Sequence, residues 1–390
     1  MCIRDRGDVR WLARCLGSLG RALYRKGRFK AAEAPLLESL EHAEPGAPGR
    51  AAANRALADI HLRTGRYASA RDLWRQTVEL AIAEGSKDAE ARARRGLAHA
   101  SALLGDLEAA ALLLEEADDL LGLMGDSRVQ SGVLARLIEL DLAAGRLGNA
   151  SRRSEQLLEL CERQELSERM GEAHMLRADA LMFLGAEELA YRHFRESERF
   201  AAAFESRRQD ILLRCARGYA EMARWQDMAR VLPDVEEVSE SLIYDGRGQC
   251  AALSAWLVAR DAPSVAREQA TWALLRPPAK LCLSRAALVR DACMALHLAD
   301  ASDHAIQAIR AGLDGLPEEG ALGLYVELSL ARYQIGREPE VKEELGDLTQ
   351  RIEQRLSPAQ RASFSARIRA YFEGDGSQGD GSSSSGSSSH

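Results

Sequence analysis

The side chains best suited to metal chemistry are Cys293 and His297, four residues apart in the stretch CMALH. On a helix this spacing places both side chains on one face, where they could share a metal ion. A structural zinc site needs about four ligands, and no partner cluster accompanies this pair. We therefore interpret Cys293 as a packing residue and predict no metal site and no cofactor.

Other residues with catalytic potential also lack the partners that a reaction would need. His61, His99 and His174 fall on predicted helices and are interpreted as packed or solvated side chains. The sequence contains no GxxxxGK[ST], HExxH or GxSxG motif, and its GxGxxG match, GDGSQG at 374–379, lies in the low-complexity tail, where no strand or helix is predicted to support a phosphate site. We predict that the chain is not an enzyme; an activity would require a domain outside this sequence.

Composition narrows the class of protein further. The 390 residues carry a modest net charge of −7 with both signs interspersed, so no basic field favours nucleic acid. The seven cysteines form no CxxC pair, and no run approaches the roughly 20 apolar residues of a membrane span. These features predict a cytoplasmic protein without membrane or nucleic-acid partners, and the excess of Arg over Lys is typical of bacterial genomes of high GC content.

A helical repeat is the feature that must position any binding residue. Small residues recur every 37 to 40 positions, and Val341 continues the series 36 residues later. The members of this alanine ladder are Ala32, Ala70, Ala110, Ala150, Ala190, Ala229, Ala266 and Ala305. A second small residue usually precedes each alanine by twelve positions, with Gly218 one residue out of step. Only small side chains allow two helices to approach closely at both positions.

A glycine five residues before the ladder position divides most units into two helices. These glycines are Gly27, Gly65, Gly105, Gly145, Gly185 and Gly336. We expect each of them to end the first helix in a left-handed conformation and to start a tight turn into an antiparallel second helix. Ser86 is a candidate N-cap of the next unit. Because one hairpin cannot bury its apolar face alone, the units must stack.

These residues resemble the tetratricopeptide repeat (TPR). The resemblance is carried in the first unit by Leu19, Gly20, Tyr24, Gly27, Ala32 and Leu36. It implies an all-α protein, an α-solenoid of about nine TPR-like hairpins wound into a right-handed superhelix. The period of about 40 exceeds the usual 34 and approaches that of HEAT and armadillo repeats, which stay open as the competing fold.

The pattern predicts four regions along the chain. Residues 1–8 are expected to be a non-native or disordered edge, because MCIRDR fits no repeat and matches a translated sequencing adaptor. Residues 9–350 form the solenoid. Residues 351–372 hold a capping helix, begun by a capping box of Ser357 and Gln360 with Pro358 at the first helical position. Residues 373–390 form a disordered Ser/Gly tail.

The resemblance places the binding surface on the concave side, along the first helix of each unit. The predicted peptide-binding residues are Arg14, Arg21, Tyr24, Arg25, Arg55, Asp59, Arg63, Arg92, Arg95 and His99, and Leu62 lies among them. Arginine recognises carboxylates bidentately, so an acidic peptide or protein is the predicted partner. The alternative is that these arginines only solvate exposed faces. A second cluster, comprising Met170, Met175, Met182, Phe183 and Phe194, is interpreted as core in preference to a groove.

The sequence therefore predicts a non-catalytic scaffold for protein or peptide interactions. The closing pattern LSPAQRASFSARIRAYF resembles TPR regions of large bacterial signalling proteins that carry a serine/threonine kinase or an ATPase module upstream. The resemblance implies that the chain is a fragment of such a protein. The alternative function is a ligand-sensing helical domain of a transcriptional regulator, which would hold an enclosed pocket.

Overall fold

A computed structural model gives the architecture of most of the chain. It describes residues 9–44, 47, 49–122, 126–203, 205–232, 246–275, 283–314, 316 and 321–373. The expected N-terminal edge and all but the first residue of the Ser/Gly tail lie outside these residues. Within them, nineteen α-helices and no β-strand are present. The protein is an all-α solenoid.

Eighteen of the helices form nine consecutive antiparallel pairs. The first helices of the pairs are α1 (Val9–Arg25), α3 (Arg50–Arg63), α5 (Lys87–Leu103), α7 (Ser127–Ala143), α9 (Ser167–Phe183), α11 (Glu205–Glu221), α13 (Gly246–Val258), α15 (Leu283–Leu298) and α17 (Leu322–Gly336). The second helices are α2 (Phe29–His42), α4 (Tyr67–Ala83), α6 (Leu107–Gly122), α8 (Leu147–Arg163), α10 (Glu187–Ala201), α12 (Trp225–Val231), α14 (Pro263–Leu274), α16 (Ser302–Leu313) and α18 (Pro339–Glu353). A single helix, α19 (Pro358–Glu373), follows the ninth pair.

Left-handed residues make the tight turns within the pairs. Gly27, Gly65, Gly105, Gly145 and Gly185 have φ between 67° and 87°, as predicted from their spacing. The prediction for Gly336 is wrong. That glycine ends helix α17, and the left-handed residue is Arg337, with φ 51°.

The N-termini of α5 and α19 are capped as the sequence predicts. The Ser86 hydroxyl accepts a hydrogen bond from the Ala89 amide at 3.4 Å, which confirms the predicted N-cap of α5. The capping box of α19 is present in both directions. The backbone amide of Gln360 donates to the Ser357 hydroxyl at 3.4 Å, and the backbone amide of Ser357 donates to Gln360 Oε1 at 3.2 Å.

The alanine ladder forms the core between the helices of each pair. Ala32, Ala70, Ala110, Ala150, Ala190, Ala266 and Ala305 are all completely buried. Ala229 is the exception, because it is exposed while Met228 is completely buried. The sixth unit is thus shifted by one residue, and the buried Ala216 stands twelve positions before Met228.

The solenoid closes on itself. Helix α17 of the ninth pair packs against α7 of the fourth pair, where Gly323 lies directly on the turn that follows α7. A Cβ atom at Gly323 would lie 2.0 Å from the Leu142 carbonyl oxygen and 2.8 Å from the Gly145 amide nitrogen. Further along, α19 covers the turn between α9 and α10 at Gly185. The C-terminal helices therefore form a wall that faces the first helices of the middle units.

Candidate functional site

The first helices enclose a charged interior with a cavity of about 520 Å³. Four of its polar side chains occupy the same repeat position, at intervals of 40 residues: Asp59, His99, Glu139 and Asp179. Their elements are α3, α5, α7 and α9. Helical phase explains the arrangement, because the same position in successive stacked units faces the same axis. The opposite wall comes from α15 and α17, through residues such as Arg290 and Glu327.

Seven of the ten predicted binding residues line this interior. Tyr24, Asp59, Arg63 and His99 border the main cavity, and Arg55, Asp59, Arg92, Arg95 and His99 border an adjoining recess of about 380 Å³. The other three do not join them. Arg14 lies beside the ring of Trp11, with its guanidinium carbon 6.0 Å from the ring centroid, and Arg25 is exposed. Arg21 donates to the Ser18 hydroxyl at 3.3 Å.

Tyr24 and Asp59 form the polar contact at the N-terminal end of the cavity. The Tyr24 hydroxyl donates to Asp59 Oδ2 at 2.9 Å. Burial raises the pKa of Asp59, and the hydrogen bond from Tyr24 and the charges of Arg63 and Arg55 act in the opposite direction. Burial also lowers the pKa of His99 to about 3, assisted by Arg136, so this histidine is neutral near pH 7. This end presents a neutral imidazole among several arginines.

The middle of the interior is a network of ion pairs that sequence reasoning did not select. Arg214 on α11 donates to Asp179 Oδ2 at 2.8 Å and to Glu139 Oε1 at 2.5 Å, and so connects three units. Burial alone would raise the pKa of Glu139, but Arg136 and Arg214 lower it below its ordinary value. Glu139 and Arg214 therefore stay charged at neutral pH, because their pairing compensates the cost of removing both ions from water.

The C-terminal side of the interior carries a second network. Arg290 on α15 donates to Glu221 and, at 3.1 Å, to Glu327 Oε2. Arg367 of α19 pairs with Glu327 Oε1 at 2.8 Å and donates to the Phe183 carbonyl oxygen at 3.3 Å. The same arginine thus joins the ninth unit to the fifth unit. Because its partners come from α9 and α17, α19 stabilises the closed form of the solenoid.

The repeat itself contained the signal for some of these residues. Glu139 and Asp179 stand 40 and 80 residues after His99, at the position already selected in the first units. Extending that position along the whole array would have predicted both. Arg290 stands fifteen residues before Ala305, as Arg55 and Arg95 stand before Ala70 and Ala110, so the same extension would have found it. Arg367 could not be found in this way, because it lies on α19, outside the repeated pairs.

The remaining candidates of the sequence analysis have structural surroundings. Cys293 is completely buried, and a His297 ring nitrogen lies 2.9 Å from the Ser302 hydroxyl oxygen. Among the described residues, no group of three or more His, Cys, Asp and Glu side chains could hold a metal ion. Met175, Met182 and Phe194 are buried and also border the main cavity. None of the described helices is both long and apolar enough to cross a membrane.

Comparisons with known proteins bear on the fold. No model of a protein family matches the sequence, and no curated protein does. Among solved structures, the chain is similar to a Rap protein complexed with Competence and Sporulation Factor. The TM-score is 0.51 and the identity 9%, with 89% of this chain and 100% of that chain covered.

Two further structures match with lower scores. They are the P58(IPK) TPR domain, with TM-score 0.27, 14% identity and coverage of 93% and 99%, and yeast Tom70, with 0.27, 10%, and 92% and 95%. At these identities a likeness concerns the fold alone, and the two lower scores add no support to it. Together with the helical pairs, the first likeness defines the class as a TPR-like α-solenoid.

Proposed function

We propose that the chain is a non-catalytic interaction module that binds a peptide, or an extended segment of a protein, inside the solenoid. The observation that carries this proposal is the cavity of about 520 Å³, which is lined mainly by first helices and contains many donors and acceptors. Buried polar groups need partners, and a peptide backbone supplies both donors and acceptors. The similar Rap protein forms a complex with Competence and Sporulation Factor, which supports the same use of a similar fold.

The charge of the interior favours an acidic partner. Arg55, Arg63, Arg92 and Arg95 all lie at its N-terminal end, where guanidinium groups can hold carboxylates in pairs of hydrogen bonds. We further propose that the chain is the binding arm of a larger bacterial signalling protein in the cytoplasm. Recovery of the complete gene tests this origin, since an upstream kinase or ATPase domain would support it and a free-standing solenoid would contradict it.

Filling the cavity tests where a ligand binds. Peptides are selected from a random phage-displayed library on the full chain, and their affinities are measured for the H99W and R14E variants. His99 borders both the main cavity and the recess, so tryptophan fills the interior without changing its charge near neutral pH. Arg14 lies outside the cavity and serves as the control.

We expect selected peptides to bind H99W at least tenfold more weakly and R14E about as tightly as the unaltered chain. Circular dichroism verifies that both variants keep their helices. Peptides that bind H99W unchanged would place the interaction elsewhere. Failure to select any peptide would also contradict the proposal.

A further inference from the structure

The recess beside the main cavity is lined mostly by arginines. It measures about 380 Å³, and its polar wall consists of Arg55, Arg92, Arg95, Arg136, Arg169, Asp59, His99 and Glu172. These side chains come from α3, α5, α7 and α9, so guanidinium groups approach the space from four helices. Arg55 is the exposed member, which identifies the solvent-facing side of the recess. Five cationic side chains thus meet two carboxylates within one concave space.

Three of the arginines have carboxylate partners. Arg92 pairs with Asp88 at 2.9 Å and with Asp126 at 3.1 Å. Arg136 pairs with Glu139, and Arg169 pairs with Glu172 at 2.7 Å. In the part of the chain that the structure describes, Arg55 and Arg95 form no salt bridge. These two guanidinium groups are available to an incoming anion.

The surroundings of Arg95 are cationic. The pKa of Arg95 is lowered to about 10, and burial is the largest cause. The charges of Arg169 and Arg136 also lower this pKa, and their effect exceeds the opposite effect of Asp59 and Glu172. His99, a neighbouring titratable group, is neutral at physiological pH and adds no further positive charge. A negative charge beside Arg95 would relieve this repulsion, and the recessed position would strengthen the attraction relative to open solvent.

Two glycines create the space. A Cβ atom at Gly132 of α7 would lie 2.4 Å from Arg95 Nη1, and a Cβ atom at Gly96 of α5 would lie 2.4 Å from the Trp74 atoms Cδ2 and Cε2. Neither glycine has a left-handed backbone or belongs to the small-residue ladder. Glycine in a helix interior is unfavourable relative to alanine. Its presence at both positions therefore keeps the guanidinium of Arg95 and the indole of Trp74 in place.

We propose that this recess binds a phosphate-type oxyanion, held directly by Arg95 and Arg55 and supported by Arg136 and Arg169. A single carboxylate needs only one arginine fork, whereas a tetrahedral dianion accepts hydrogen bonds from several directions. Guanidinium groups from four helices match the second requirement. The oxyanion is inorganic phosphate or the phosphoryl group of a larger ligand, and the site does not depend on the peptide binding proposed above.

Anion titration of the full chain tests the site. Inorganic phosphate and acetate are titrated at constant ionic strength, and binding is measured by calorimetry and by the thermal midpoint, which rises when a ligand binds only the folded state. The variants are R95Q, G132A and R14Q. R95Q removes the central cation, G132A displaces it without changing charge, and R14Q removes an exposed arginine outside the recess. Trp74 fluorescence, identified by comparison with W74F, reports binding locally.

We expect phosphate to bind more tightly than acetate, and its affinity to fall at least tenfold in R95Q and G132A but not in R14Q. Equal binding of phosphate by all four proteins, or equal binding of phosphate and acetate, would overturn the proposal. Should R95Q lose its helical signal, G132A still decides the question. Because peptide selection and phosphate titration are both carried out on the unaltered chain, each proposal can fail without the other.

A second titration identifies the source of the oxyanion. A short phosphoserine peptide and its unphosphorylated counterpart compete against inorganic phosphate. Competition by the phosphorylated peptide alone shows that the site accepts a phosphoryl group on a larger ligand. Competition by neither peptide, with phosphate still bound, shows a site for the free anion. Displacement by the unphosphorylated peptide as strong as by the phosphorylated one would contradict oxyanion recognition.

Discussion

Glycines at different positions of this solenoid have different physical roles, which the amino-acid composition alone does not reveal. Gly218 on α11 lies against the Phe194 ring, where an added Cβ atom would be 2.2 Å from Cε2. Phe194 is completely buried, so its ring has little room to move. Gly346 on α18 has nothing within 4 Å of the equivalent point. Replacement of these two residues should therefore have opposite consequences.

We predict that G218A lowers the free energy of unfolding by about 1–3 kcal/mol through overpacking, although alanine favours helix. G346A should raise it by about 0.5–1 kcal/mol, because only helix propensity changes. Urea denaturation monitored by circular dichroism measures both. The double variant G218A/F194L should recover part of the loss. A stabilising effect of G218A would show that the Phe194 ring adjusts freely.

At the scale of elements, the local sequence pattern predicted the hairpins well, because each turn and each helix cap depends on residues that are close in sequence. The turn glycines, the Ser86 cap and the capping box of α19 all depend on neighbours in sequence. Prediction failed where the local signal was weak. The turn after α11 uses Ala223, with φ 54°, in place of glycine, and the following ladder position is shifted to Met228.

The left-handed turns allow a test with opposite substitutions. A223G should stabilise the protein by up to about 1 kcal/mol, because glycine removes the Cβ strain of a left-handed residue. G27A should destabilise it by about 1 kcal/mol; nothing lies within 4 Å, so the cost comes from the backbone alone. A34G, an exposed change within α2, is the control and should destabilise. Urea midpoints check all three, and a loss of stability in A223G would contradict this explanation.

At the scale of the whole molecule, closure decides which side chains share the interior, and local pattern could not predict it. The approach of α17 to α7 depends on the rotation accumulated over five units. One signal was present, because both helices are rich in apolar residues: Leu134, Leu137, Ile138, Leu324 and Leu328 are buried. On α1, Tyr24 borders the cavity, whereas Arg14 and Arg25 lie outside it.

The closing contact can be tested at Gly323. A Cβ atom there would meet backbone atoms of Leu142, Ala143 and Gly145, which cannot rotate away. We predict that G323A separates α17 from α7, lowers stability by about 1–3 kcal/mol and increases the radius of gyration measured by small-angle X-ray scattering. G312A, which makes only an ordinary contact at 3.5 Å with Val289, should leave the radius unchanged. An unchanged radius in G323A would mean that the closure tolerates a methyl group.

The contact between α17 and α7 also affects how the molecule folds. In an open array each repeat contacts only its neighbours, so folding is local, and terminal units fray independently. Here residues about 180 positions apart must meet, which adds a slow, long-range step and raises the contact order. Once formed, the contact makes the fourth to ninth units a single cooperative block. Amide hydrogen exchange should therefore protect α17 as strongly as α7, although one lies near the end of the array and the other near its centre.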